Sequence, residues 1–137
     1  MYPNKTAIVF FTFLLVFFSS CEKLGLNYGS TGTLKGTISI GPLCPVVYDP
    51  PLPGCQPTAE TYKAYPVSVW STDMKTKIAV LSPALDGSYN ASLPSGTWIV
   101  VLEKDPMGVG GSNLPVTIKV AEGSDTQLDI SIDTGIR

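Results

Sequence analysis

The sequence contains no histidine and little charge. Charged side chains make up 15% of the 137 residues, whereas about a quarter is usual. The absence of histidine excludes Ser-His-Asp and Cys-His catalysis and removes the commonest metal ligand, so we expect neither an enzyme nor a metal or cofactor site. Nine basic residues against eleven acidic ones give a net charge of −2. No stretch is basic enough to follow a phosphate backbone, which argues against nucleic acid as a partner.

Long apolar runs are also scarce, and the one at residues 7–18 is short. As a helix it rises only about 18 Å, less than the ~30 Å hydrocarbon core of a bilayer. Lys5 places a positive charge before it. This arrangement is typical of a secretory signal peptide rather than a spanning helix.

Two small residues precede a cysteine directly after that run. The segment Phe18-Ser19-Ser20-Cys21 resembles the lipobox of bacterial lipoproteins. The resemblance implies that residues 1–20 are removed and that Cys21 carries a thioether lipid and an acylated amino terminus, enough acyl chains for stable anchoring. Residues 21–32, which are rich in Gly, Ser and Asn, then predict a flexible tether. The expected location is extracytoplasmic and membrane-anchored, on a periplasmic face or the cell surface; the alternative is an ordinary signal peptide with a chance cysteine nearby.

From residue 33 to residue 137, apolar and polar side chains alternate between turn signals, which predicts strands. About seven short strands at close spacing are typical of an all-β, antiparallel Greek-key sandwich. Only residues 58–64 are expected to form a helical turn. The residues predicted to face the core are Leu34, Ile38, Ile40, Val67, Val69, Tyr89, Ala91, Leu93, Trp98, Val100, Leu102, Val116, Ile118, Val120, Leu128, Ile130 and Ile132.

Two turn motifs carry a resemblance to a known fold family. Asp86-Gly87-Ser88-Tyr89, followed by residues 93–98 (Leu-Pro-Ser-Gly-Thr-Trp), resembles the carboxypeptidase regulatory-like and Cna B-type domains of the transthyretin-like (prealbumin-like) sandwiches. The resemblance implies that Tyr89 and Trp98 point into the core, and it extends over residues 33–133 around an insertion at 41–62. Some Cna B-type domains form a Lys–Asn isopeptide bond, but Lys35 alternates with Leu34 and is predicted to point outward. Such domains serve as spacers, adaptors and binding modules alike, so the fold says little about function.

The insertion is rich in proline and contains the other two cysteines. Six of the twelve prolines lie between Pro42 and Pro57, which is incompatible with a strand or helix interior. In an oxidising compartment Cys44 and Cys55 are expected to form a disulfide, with a zinc pair or a redox dithiol as alternatives. The cross-linked loop, which carries Tyr48, is either a recognition element or a cover over one sheet face or open end.

Three acidic residues near the C-terminus, Asp125, Asp129 and Asp133, are spaced by four. Strand residues four apart lie about 13 Å from each other, too far for one calcium ion or an acid–base pair. We interpret them as a solvated face that also protects a sheet edge.

One binding surface follows from the strand pattern. If Val67 and Val69 face inward, Trp70 faces outward; Ile99 and Val101 likewise face outward beside Trp98. These three side chains are predicted to form an apolar patch, unless the cysteine loop or the tether covers it. We therefore expect a non-enzymatic, lipid-anchored structural or protein-interaction module of the cell envelope. The alternative is a carbohydrate or small-molecule binding module that uses the same aromatic face.

Overall fold

The computed structural model describes residues 29–46, 48–104 and 111–137. Two sheets pack face to face, as predicted, with one short helix between the first two strands. No helix within the described ranges is both long and apolar enough to cross a membrane. The elements are β1 Thr31–Gly41, α1 Ala59–Ala64, β2 Val67–Ser71, β3 Lys77–Val80, β4 Ser88–Pro94, β5 Gly96–Leu102, β6 Gly111–Ser112, β7 Val116–Val120, β8 Asp125–Gln127 and β9 Ile130–Asp133.

The first sheet is arranged around β1. Its strand order is β4-β1-β9-β6, and β8 pairs with the first half of β1. β4 runs antiparallel to β1, whereas β8 and β9 both run parallel to it. The second sheet has the order β3-β2-β5-β7, and its pairs are antiparallel throughout. The described strand pairs are therefore antiparallel except for the pairs of β1 with β8 and of β1 with β9.

The core lies between the two sheets; twelve of the seventeen predicted inward residues are buried in it, and the other five are partly buried against it. Burial of these alternate apolar side chains, each removed from water on one sheet face, is the main force that holds the two layers together. The buried apolar residues are Leu34, Ile38, Ile40, Tyr62, Val67, Val69, Leu81, Tyr89, Leu93, Val100, Ile118, Val120, Ile130 and Ile132.

The two aromatic residues of the turn motifs occupy the positions that the resemblance implies. Tyr89 is buried, and its hydroxyl donates to the Leu128 carbonyl oxygen at 2.6 Å. Trp98 packs against the core, and its indole Nε1 donates to the Pro94 carbonyl oxygen at 2.8 Å. Both rings thus bury apolar area while their polar atoms are satisfied.

Helix α1 begins with a capping box. The Thr58 hydroxyl accepts from the Thr61 backbone N–H, and the Thr61 hydroxyl accepts from the Thr58 N–H at 3.0 Å. Such reciprocal bonds satisfy two of the amides that a helix start leaves free. Tyr62 is the buried residue of this helix, so its ring fixes the end of the insertion to the sandwich.

The sandwich has two distinct ends. Residues 29 and 30, which precede β1, lie at one end. There the Ser30 carbonyl accepts from the Ser95 N–H at 2.7 Å, and the Thr31 carbonyl accepts from the Gly123 N–H at 2.9 Å. At the other end of β1, the Gly41 carbonyl accepts from the Thr134 N–H at 3.2 Å. We call the first the N-terminal end and the second the tip. The proline-rich insertion leaves β1 at the tip.

Candidate functional site

The three residues of the predicted patch lie together on the outer face of the second sheet. Trp70 of β2 stands directly opposite Ile99 of β5, and Val101 stands opposite Ser68 one step along the same face. Val80 of β3 pairs with Ser68 from the other side and is 51% exposed. We call Trp70, Val80, Ile99 and Val101 the outer strip.

Polar side chains hold the indole of Trp70 in place. Its Nε1 donates to the Ser68 hydroxyl at 2.8 Å, and Ser68 is fully buried although it points away from the core. The Lys77 ammonium lies 5.2 Å from the centre of the indole ring, within cation–π range. The outer strip therefore presents a fixed, partly covered indole rather than a freely exposed one.

Lys77 is itself paired with Glu103 across the outer face. Hydrogen bonds from Lys77 and then from Ser68 lower the pKa of the Glu103 carboxyl. Sequence reasoning missed Ser68, Lys77 and Glu103. A register shift between Val69 and Trp70 brings Lys77 opposite Trp70. Strand alternation alone does not reveal such a shift.

The structure confirms the predicted disulfide between Cys44 and Cys55, whose Cα atoms lie 5.4 Å apart. Tyr48, within the loop that it closes, is 49% exposed. The loop begins at the tip, where the Thr134 hydroxyl donates to the Pro42 carbonyl oxygen. Trp70 lies near the C-terminal end of β2, and its neighbour Ser71 pairs with Trp98, so Trp70 lies toward the N-terminal end of the sandwich. The loop thus begins at the opposite end of the sandwich from Trp70.

The acidic residues near the C-terminus are separated from one another by different partners. Asp125 pairs with Lys35, so that lysine lies on the surface as predicted. Asp129 accepts from the Thr37 N–H at 2.9 Å and from its hydroxyl at 3.0 Å, and these bonds lower the pKa of the Asp129 carboxyl. β8, which carries Asp125, pairs only with β1 among the described strands, whereas β9, which ends at Asp133, lies between β1 and β6.

The third acidic residue, Asp133, pairs with Arg137 at 2.9 Å. Hydrogen bonds from Arg137 and from the Gly135 N–H lower the pKa of the Asp133 carboxyl to about 2. No three Cys, Asp or Glu side chains among the described residues lie close enough together to hold a metal ion. Each of the three aspartates is therefore bound to a different partner.

Three of the sequence-based expectations concern residues outside the described ranges. These are the signal peptide at 1–20, the lipidation site Cys21 and most of the tether at 21–32, of which residues 29–32 are described. The described tether residues already include the start of β1 at Thr31.

The sequence matches no protein-family model and no curated protein. Among solved structures, the chain is similar to GBS52, the minor pilin of Streptococcus agalactiae, with a TM-score of 0.51 and 14% identity over 76% of this chain and 44% of that chain. It also aligns with DUF3823 family proteins from Parabacteroides merdae (TM-score 0.45, 13% identity, 76% of this chain and 46% of that chain) and Bacteroides ovatus (0.42, 18%, 73% and 44%). The chain therefore spans less than half of each of these proteins. What it shares with the minor pilin is the β-sandwich fold.

Proposed function

We propose that this chain is a non-enzymatic, lipid-anchored β-sandwich that serves as a structural or protein-interaction module of the cell envelope. The lipobox-like residues before Cys21 support the anchor. The disulfide Cys44–Cys55 supports an extracytoplasmic location, because such bonds persist in oxidising compartments. The β-sandwich fold, which the chain shares with a minor pilin, supports a structural role.

The outer strip is the observation that carries the interaction role. Trp70 and Ile99 are adjacent on neighbouring strands, and the exposed Val80 extends the strip to β3. Contiguous apolar side chains on a sheet face mark partner surfaces, and tryptophan is prominent among the residues that dominate binding energy. The Lys77–Glu103 pair forms a charged rim beside the strip, as is usual at protein interfaces.

Two features favour a protein partner over a sugar at this face. Stacking of a sugar requires a free indole face, but the Lys77 ammonium lies over the Trp70 ring. The indole N–H, which could otherwise donate to a sugar hydroxyl, is already bonded to Ser68. Catalysis is disfavoured because Glu103, Asp125 and Asp129 are bound to separate surface partners and no histidine is present to act as a base.

The anchor is tested by mass spectrometry of the mature chain. We expect the first residue to be Cys21 with acyl chains, and we expect Cys21→Ser to move the protein from the membrane fraction to the soluble one. An unmodified Cys21 in a soluble wild-type protein would contradict the proposal.

The interaction surface is tested with Val101→Lys, which places a charge in the outer strip, and with Met74→Lys as the matched control on an exposed turn. We expect cross-linking in intact envelopes to yield a protein partner whose capture falls at least tenfold in Val101→Lys and is unchanged in Met74→Lys. Saturable glycan binding that is lost in Trp70→Ala would instead establish the carbohydrate-binding alternative.

A further inference from the structure

An ion pair links the two strands that flank β2 in the second sheet. Lys77 belongs to β3 and Glu103 directly follows β5, and both strands are neighbours of β2. The Lys77–Glu103 pair therefore connects the two sides of β2 on the face that carries Trp70. The Glu103 backbone N–H donates to the Pro66 carbonyl oxygen at 2.9 Å, which fixes the position of this glutamate beside the start of β2.

Glu103 closes a ring of contacts around the Trp70 indole. Its carboxylate accepts from Lys77 and from the Ser68 hydroxyl, and both bonds lower the pKa of Glu103. Ser68 in turn accepts from the indole Nε1 at 2.8 Å, and the Lys77 ammonium lies 5.2 Å from the centre of the ring. Each of the four side chains thus contacts two others, and Glu103 connects the two that touch the indole.

The charge of Glu103 acts on both contacts of the indole. A hydroxyl group has one hydrogen to donate and two lone pairs that can accept. When the Ser68 hydrogen points to the carboxylate, its lone pairs are left for the indole N–H, and linked hydrogen bonds of this kind strengthen one another. The same carboxylate attracts the Lys77 ammonium. Loss of its negative charge would therefore loosen the hydrogen bond and the cation–π contact together.

Few other charges surround this carboxylate. The four strands of the second sheet carry two charged residues, Lys77 on β3 and Lys119 on β7. Lys119 pairs with Thr97 near the opposite end of β5 from Glu103, and Lys104 follows Glu103 in the sequence. Lys77 is the charged residue that lowers the Glu103 pKa, so the state of the network depends on this one pair.

We propose that Glu103 is the positioning residue of the outer strip. Its ionised carboxylate, acting through Ser68 and Lys77, holds the indole in one orientation before a partner binds. A side chain that is already ordered loses less entropy on binding, so neutralisation of the carboxyl group weakens the interaction. This inference rests on the proposed interaction role of the outer strip, and it makes that role dependent on the ionisation of Glu103.

The two tryptophans of the chain provide a readout and an internal reference. The Trp70 indole N–H is bonded to Ser68, whereas the Trp98 indole N–H is bonded to the Pro94 carbonyl oxygen. NMR measures hydrogen exchange of both groups in the full chain in detergent micelles. In Glu103→Gln, which keeps the shape of the side chain, we expect exchange at Trp70 to rise about fivefold. Exchange at Trp98, which packs against the core, should stay unchanged and thereby verify the fold.

The pH profile separates positioning from a merely structural role. Because the pKa of Glu103 is lowered, its carboxylate is ionised at neutral pH and becomes protonated only in acid. In the wild type, the ratio of exchange at Trp70 to exchange at Trp98 should rise as the pH falls through this titration. The ratio cancels the pH dependence that both indoles share. In Glu103→Gln the ratio should be high at all pH values.

The matched control is Glu60→Gln, which removes a carboxylate that pairs with Lys63 on α1. We expect this variant to keep the wild-type exchange ratio and its rise in acid. Cross-linking in intact envelopes then measures the effect on binding. Capture of the partner should fall about fivefold in Glu103→Gln and stay unchanged in Glu60→Gln.

Three results would overturn the positioning role: an unchanged exchange ratio in Glu103→Gln, a wild-type ratio that does not respond to acid, or unchanged capture despite a changed ratio. Failure of the proposed function has a different signature. In that case no variant captures a partner, although the exchange ratio still changes as described. Such a result supports the hold of Glu103 on the indole and refutes the interaction role of the outer strip.

Discussion

Replacement of Gly36 by alanine tests the central feature of the first sheet. At this residue β1 changes its parallel partner from β8 to β9, and the Leu128 N–H donates to the Lys35 carbonyl oxygen at 2.9 Å. A Cβ atom on Gly36 would lie 2.0 Å from the Leu128 carbonyl oxygen and 2.7 Å from its carbon. Both are backbone atoms, so rotation of a side chain cannot relieve the clash.

The expected loss follows from two opposing effects. Inserting a methyl group into a packed site costs about 1–3 kcal/mol, and separating the strands also weakens the Leu128–Lys35 hydrogen bond, worth about 1 kcal/mol. Alanine restricts the unfolded chain more than glycine does, which returns about 0.4–1 kcal/mol. We expect Gly36→Ala to lower the free energy of unfolding by about 2 kcal/mol, or the urea midpoint by about 1 M.

The assay is urea unfolding followed by tryptophan fluorescence with the disulfide intact. Gly54→Ala is the matched control, because nothing lies within 4 Å of the added methyl group there, and its effect is expected to stay within about 0.5 kcal/mol. If the midpoint of Gly36→Ala equals that of Gly54→Ala, the close approach of β1 to Leu128 is refuted.

Three further perturbations address other parts of the fold. The double variant Cys44→Ser, Cys55→Ser opens a loop with a separation of 11 residues, so we expect unfolding free energy to fall by about 3 kcal/mol in urea unfolding. Burial raises the pKa of Tyr89 from 10.0 to about 12, so the folded state favours the neutral phenol. This preference contributes about 3 kcal/mol to the free energy of unfolding. The contribution is complete below pH 10 and is lost as the pH rises toward 12. Phenolate absorbance and unfolding midpoints across that range measure this loss. Removal of the helix cap by Thr58→Ala should cost about 1 kcal/mol and speed exchange of the Thr61 amide hydrogen.

Each of these expectations has a control that can contradict it. Reduction of the wild-type disulfide should reproduce the double serine variant, and an unchanged midpoint in both would refute the role of the cross-link. Tyr89→Phe should be destabilised less between pH 10 and 12 than the wild type; equal alkaline losses would assign them to another group. Thr58→Ser keeps the capping hydroxyl, so equal losses in the serine and alanine variants would show that the cap does not act as described.

The sequence was most informative where structure is set by neighbouring residues. Alternation of apolar and polar side chains identified the strands, because one face of each must pack and the other need not. Tyr89 and Trp98 were correctly placed in the core from two turn motifs, and residues 58–64 were correctly singled out for a helical turn. The disulfide was predictable because two cysteines remained in a chain that was predicted to carry a secretory leader.

Long-range pairing was not accessible from the same patterns. β1 lies parallel to strands about 90 residues later in the sequence, and alternation is identical for a central and an edge strand. Alternation therefore does not reveal that Asp125 lies on β8, which pairs only with β1 among the described strands, whereas Asp133 lies on β9, between β1 and β6. Ser68 shows a second limit: its outward direction followed from alternation, but its complete burial and its hydrogen bond from the Trp70 indole did not.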